Sequence, residues 1–142
     1  MRRRVFSLLL YALIAHAVLA AGEADLRTAE RLAWNKQFAE SEALYRRILD
    51  VDPNSEAARL GLARVVMWQR RYAEAIALFG RLRGIDAMEG RATAEYWNGD
   101  LRAAARDFRR VLALDPKREL ARTSLREIEA TARPSQRVTR RC

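Results

Sequence analysis

Three tryptophans, Trp34, Trp68 and Trp97, are the side chains in this sequence best suited to hold another molecule. An indole offers a rigid apolar plane with one N–H at its edge, which suits a peptide or the flat face of a sugar ring. The same side chain can instead plug the joint between packed helices, because large aromatics dominate core burial. Arg64 and Arg91 could pair with acidic groups of a ligand or stay solvated, as most surface arginines do. The catalytic inventory is thin. The only histidine is His16 and the only cysteine is Cys142. The usual zinc sites need several such ligands, and nucleophilic catalysis needs a Ser–His or Cys–His pair. Asp and Glu are the remaining acid–base candidates besides Tyr, and they are scattered along helix surfaces beside arginines rather than set across a cleft. No enzymatic activity, metal or cofactor is expected.

The elements that position the tryptophans are helical. With 142 residues the chain has room for one domain, and its 6 Gly and 3 Pro favour long helices over a turn-rich β fold. Leu26, Ala29, Leu32 and Ala33 recur at three- and four-residue intervals, as one helical face does. Phe38, Leu44, Tyr45, Ile48 and Leu49 form a second stripe. Asp52-Pro53-Asn54-Ser55 stops that helix and starts the next, since Pro cannot donate into a helix interior and Asn or Ser can cap a first turn. Asp115-Pro116 repeats the stop. Gly84 is expected to end a fourth helix, and Asn98-Gly99-Asp100 to form a turn. Lys117 to Ala130 reads as a seventh helix with Leu120, Ser124, Leu125 and Ile128 on its apolar face.

These helices repeat. Trp34, Phe38 and Tyr45 recur as Trp68, Tyr72 and Phe79 after 34 residues, and again as Trp97, Leu101 and Phe108 after a further 29. Five residues are therefore missing between Phe79 and Trp97. Small residues fall where paired helices would cross, at Ala29, Ala63 and Ala92 and again at Ser41, Ala75 and Ala104. With the aromatics Tyr45, Phe79 and Phe108 and the closing prolines Pro53 and Pro116, this 34-residue helix–turn–helix period resembles the tetratricopeptide repeat family. The resemblance covers about Gly22 to Glu129. The second unit lacks the closing proline, the third has polar Glu95 where a large apolar residue is usual, and none has the family's Trp near the start of its first helix.

The resemblance implies an all-α fold, an α-solenoid of three hairpins (about 22–55, 56–84 and 85–118) with a cap at 119–130, inside a domain at 21–130. It also implies a concave face lined by the first helix of each hairpin. Partner-facing positions would be Leu26, Glu30, Ala33 and Trp34, then Leu60, Arg64, Met67 and Trp68, then Glu89, Thr93, Tyr96 and Trp97. The expected partner is a protein or peptide segment. A signal segment, repeats with Trp closing the first helix and an Arg-Pro stretch after the cap are also similar to the periplasmic repeats of outer-membrane exopolysaccharide exporters. In those a β-barrel follows, so this chain would be a shortened relative that contacts polysaccharide or export machinery, or a broken gene, unless the similarity is generic to exported repeats.

The formal charge of +9 is carried mostly by the ends. Without Arg2, Arg3, Arg4 and the four arginines of 131–142, 20 basic residues face 18 acidic ones. That near-neutral body gives no gathered basic face, so nucleic-acid binding is not expected. Met1-Arg-Arg-Arg precedes an uncharged stretch from Val5 to Ala20 and then small residues, the three-part design of a secretory signal peptide. Cleavage is expected after Ala20, with an uncleaved anchor as the alternative and the only membrane contact. The stretch is short of the roughly 20 residues a bilayer span prefers. The mature chain is expected to be periplasmic or secreted, with 131–142 a disordered basic tail.

Overall fold

The structure, a computed structural model, describes residues 22–132, and every regular element among them is an α-helix. In order they are α1 (22–34), α2 (Phe38–Val51), α3 (Glu56–Trp68), α4 (Tyr72–Phe79), α5 (Ile85–Asn98), α6 (Leu101–Leu114) and α7 (Glu119–Ala132). The expected signal segment and residues 133–142 of the expected tail, with His16 and Cys142, lie outside the described residues. Among the described residues no helix is long and apolar enough to cross a membrane. Two compact units divide the chain after Arg71.

The same reversal follows each tryptophan. Lys36 and Arg70 adopt left-handed backbone angles, φ 61° and 65°, and Gly99 does so at φ 89°. In each case the left-handed N–H donates three residues back, and the next N–H donates five residues back. The pairs are Lys36 to Ala33 and Gln37 to Leu32, Arg70 to Met67 and Arg71 to Val66, and Gly99 to Tyr96 and Asp100 to Glu95. This closing pattern satisfies the last helical carbonyls and reverses the chain. Every tryptophan thus stands two residues before a left-handed residue.

The Asp-Pro stops also share a construction. The backbone N–H of Asn54 donates to the Asp52 carboxylate, and that of Lys117 to Asp115, each at 3.0 Å. Arg59 and Arg122, each six residues after its proline, donate to the Pro53 and Pro116 carbonyls. Ser55 caps α3 by accepting from the Ala58 N–H at 3.3 Å. Helix α7 therefore begins in the register of α3.

Three expectations need correction. Helix α4 ends at Phe79, not at Gly84, and has 8 residues where α2 and α6 have 14. The missing residues come off the second unit's closing helix, leaving the third unit whole. Gly84, at φ 94°, instead precedes α5 as its N-cap. The cap helix buries Ala121, Ser124 and Ile128 and leaves Leu120 exposed. It runs to Ala132, two residues beyond the expected end.

All six small crossing residues are fully buried. Ser41 keeps its hydroxyl satisfied there by donating to the Ala29 carbonyl at 2.7 Å, which a buried polar group requires. In the first unit Tyr45 lies directly over Gly61, and in the second Phe79 lies over Gly90. A Cβ at either glycine would overlap the ring. The second unit's core gathers Ala92, Ala104, Phe108, Val111, Ala121 and Ile128.

Candidate functional site

In the first unit α1 and α3 line a cleft of about 340 Å³, with Tyr45 of α2 at its base. Trp34 and Trp68 occupy one end, their ring centroids 6.3 Å apart and their planes tilted by 47°. The Phe38 ring also lies near Trp68, with centroids 6.0 Å apart. Trp34 is 80% exposed and Trp68 40%. The indoles do not plug a joint. They are large apolar planes turned to solvent, and their neighbours in the cleft are Leu60, Glu30 and Arg64, one acid and one base.

Glu42 of α2 fixes the end of α3. It accepts from Arg46 at 2.7 Å, from Gln69 at 2.6 Å and from Arg71 at 2.7 Å. Burial raises its carboxyl, but these donors outweigh burial and hold it down at about 2. Gln69 and Arg71 flank the reversal after Trp68, so this ionised carboxylate anchors the stretch of backbone from which the indole projects. The Tyr45 phenol is pushed up to about 12, by burial first and by the Glu30 charge second. It is a neutral hydroxyl at the floor of the cleft.

The sequence-derived positions divide accordingly. Glu30, Ala33, Trp34, Leu60, Arg64 and Trp68 are brought together in this cleft, with Ala33 itself buried. Leu26 and Met67 are half-buried and do not line it. In the second unit, Tyr96 and the 61%-exposed Trp97 line a separate cleft with Leu101, Glu127, Ile128 and Thr131. Glu89 and Thr93 are engaged internally. Glu89 accepts from Arg118 at 3.0 Å, and the Thr93 hydroxyl donates to the Glu89 carbonyl at 2.8 Å. Arg91 does not await a ligand acid, because it is bonded to buried Asp107 of α6. Sequence reasoning missed Gly61 and Tyr45 as cleft residues and Glu127 and Leu101 in the second cleft. Only the long-range pairing of helices brings them in. Among the described residues no group of three or more potential metal ligands gathers.

A family model described as tetratricopeptide repeat matches residues 34–94. No curated protein matches the chain. Among solved structures, the first such domain of Spaghetti (RPAP3), bound to an HSP90 peptide, has a TM-score of 0.71 at 20% identity, covering 78% of this chain and 91% of that one. The Arabidopsis OM64 domain has a TM-score of 0.71 at 17% identity, covering 78% and 95%. The second domain of human RPAP3, in complex with an HSP70 peptide, has a TM-score of 0.67 at 24% identity, covering 74% and 92%. These identities speak to the fold. A tetratricopeptide repeat is accordingly matched over residues 34–94, and the chain shares the fold of tetratricopeptide domains.

Proposed function

We propose that the chain is a non-enzymatic scaffold that binds a segment of a protein or peptide partner in the cleft of the first unit. One observation carries this reading: Trp34 and Trp68 stand side by side with large apolar surface exposed, in a cleft also lined by the acid Glu30 and the base Arg64. Exposed aromatic planes beside polar groups are the anchors of peptide recognition. The RPAP3 domains of similar fold are solved with HSP90 and HSP70 peptides, which supports the ligand class. The test is to pan a random-peptide display library against the full chain and measure the enriched peptides on W34A/W68A. Affinity should fall at least about tenfold, the usual loss when central aromatic anchors are truncated. Unchanged affinity in a variant with wild-type helicity would overturn the reading.

A second reading, contact with polysaccharide as in the exopolysaccharide exporters, is favoured by the flat indole faces at equivalent repeat positions. Quenching of tryptophan fluorescence by oligosaccharide, lost in W34A/W68A, would select it. We further propose that the scaffold works outside the cytoplasm after cleavage near Ala20. The support is the basic head, apolar stretch and small residues of Met1 to Gly22. N-terminal sequencing of the protein from fractionated cells tests this, and an intact Met1 in a cytoplasmic fraction would overturn it.

A further inference from the structure

The cleft at the end of the second unit has different chemistry. Tyr96 and Trp97 meet there edge to face, with ring centroids 5.3 Å apart and planes at 79°. Two rings at nearly right angles form two walls of a corner. Glu127 of α7 closes a third side, where its Oε2 accepts from the Tyr96 hydroxyl at 3.1 Å. Leu101 and Ile128 add apolar wall, and the space is about 260 Å³.

Glu127 differs from the other carboxylates of α7. Glu119 is paired with Arg122 at 2.6 Å, and Glu129 with Arg109 at 2.8 Å. Among the described residues, no Lys or Arg forms an ion pair with Glu127. Its partner is a phenol, which shares a hydrogen bond without cancelling the charge. An uncompensated carboxylate beside two aromatic rings attracts a cation twice over, by its own charge and by the negative faces of the rings.

The free valences narrow the choice of cation. Oε2 already accepts from Tyr96, which leaves Oε1 as the less engaged oxygen of Glu127. A guanidinium fork is best met by two parallel acceptors, whereas an ammonium is a compact charge satisfied by one acceptor and π faces. A sugar needs several polar partners for its hydroxyls. Here the Thr131 hydroxyl is already committed to the Ile128 carbonyl at 2.8 Å. Leu101 and Ile128 match a methylene stem that leads to a charged head.

We propose that the corner formed by Tyr96, Trp97 and Glu127 is a subsite for the ammonium group of a lysine side chain on a partner peptide, its stem lying along Leu101 and Ile128. The subsite lies wholly within the second unit and does not depend on the Trp34–Trp68 cleft. The experiment follows the Trp97 indole N–H by NMR in the full ¹⁵N-labelled chain, the signal being assigned by its loss in W97F. The probes are acetyl-lysine methylamide and its norleucine, arginine and glutamate counterparts. The lysine probe should shift the Trp97 signal saturably. E127Q, which keeps an acceptor for Tyr96, should weaken it by about tenfold. W34A/W68A should bind the probe as wild type does, even if that variant has lost its peptides. Equal binding of the norleucine, arginine or glutamate probe, wild-type affinity in E127Q, or no shift with lysine would each overturn the assignment.

Discussion

Asp107 is wholly buried, and Arg91 holds it: the Arg91 Nε donates to Asp107 Oδ2 at 2.8 Å, and Nη2 donates to the same oxygen. Glu95, also buried, lies one turn along α5 with its Oε1 3.9 Å from Arg91 and its Oε2 without a hydrogen-bond partner. In the repeat register, positions 91, 95 and 107 correspond to Thr28, Leu32 and Leu44 in the first unit and to Leu62, Val66 and Leu78 in the second. The third unit has an ionic trio where the second is apolar throughout. Removing one member of a buried pair strands the other charge, which costs about 3–5 kcal/mol, whereas exchanging the whole set for packed apolar residues is often neutral or stabilising. D107L alone should lower stability by about that amount, while R91L/E95V/D107L should recover wild-type stability or exceed it. Urea denaturation of both variants checks this.

The trio also gives the compact unit that begins at Tyr72 a pH dependence. Burial, and then the charge of Asp107, raise the Glu95 carboxyl above its ordinary value of 4.5, against the opposing pull of Arg91 and Arg106. A carboxyl raised on folding lends stability that is complete below 4.5 and disappears as pH climbs through the folded value. E95Q should therefore melt close to wild type at pH 4 and above it at pH 8. Glu42 acts with the opposite sign. Its contribution is complete above 4.5 and lost as pH falls through about 2, so E42Q should be most harmful near neutrality. Melting temperatures across pH for the two variants should diverge in opposite directions.

Gly61 and Gly90 sit in helices beneath aromatic rings, Tyr45 over one and Phe79 over the other. Alanine would gain up to about 1 kcal/mol of helix propensity at each site. The added methyl would also displace a close-packed ring, and overpacking of a core costs about 1–3 kcal/mol. The second effect should win, so G61A and G90A should both be less stable, by about 1–2 kcal/mol in thermal melts.

At the left-handed positions after the first two tryptophans the balance reverses. Lys36 and Arg70 carry a Cβ where Gly99 has none. Relief of the left-handed strain, about 1–2 kcal/mol, exceeds the entropy lost by introducing glycine. K36G and R70G should each stabilise by about 0.5–1 kcal/mol, and G99A should destabilise by a similar amount, as chemical denaturation will show.

The helices and their crossings were legible because the landmarks recur: the buried small residues, Tyr45, Phe79 and Phe108, and the two Asp-Pro stops repeat at fixed spacing. The end of α4 was not. Gly84 reads equally well as the end of one helix or the beginning of another, and the deletion removed the Asp-Pro signal that decides the matter after α2 and α6. The exposure of the tryptophans was open in the sequence, since a large aromatic serves core and surface alike. Glu95 stood out as polar, but its neighbour Asp107 is 12 residues away across a turn, and Arg91 looked available until that partner appeared. Leu120 was placed on the apolar face of α7, yet the wholly buried residue there is its neighbour Ala121, in the cluster with Phe108 and Val111 of α6.

The reversals after Trp34, Trp68 and Trp97 limit how the hairpin tips can evolve. An α-helix turns about 100° per residue, so one residue inserted between an indole and its left-handed neighbour would swing the ring to another face or break the closing hydrogen bonds. Substitution there is cheap and a change of length is not. The five-residue loss falls instead on the far end of α4, where there is no indole to aim.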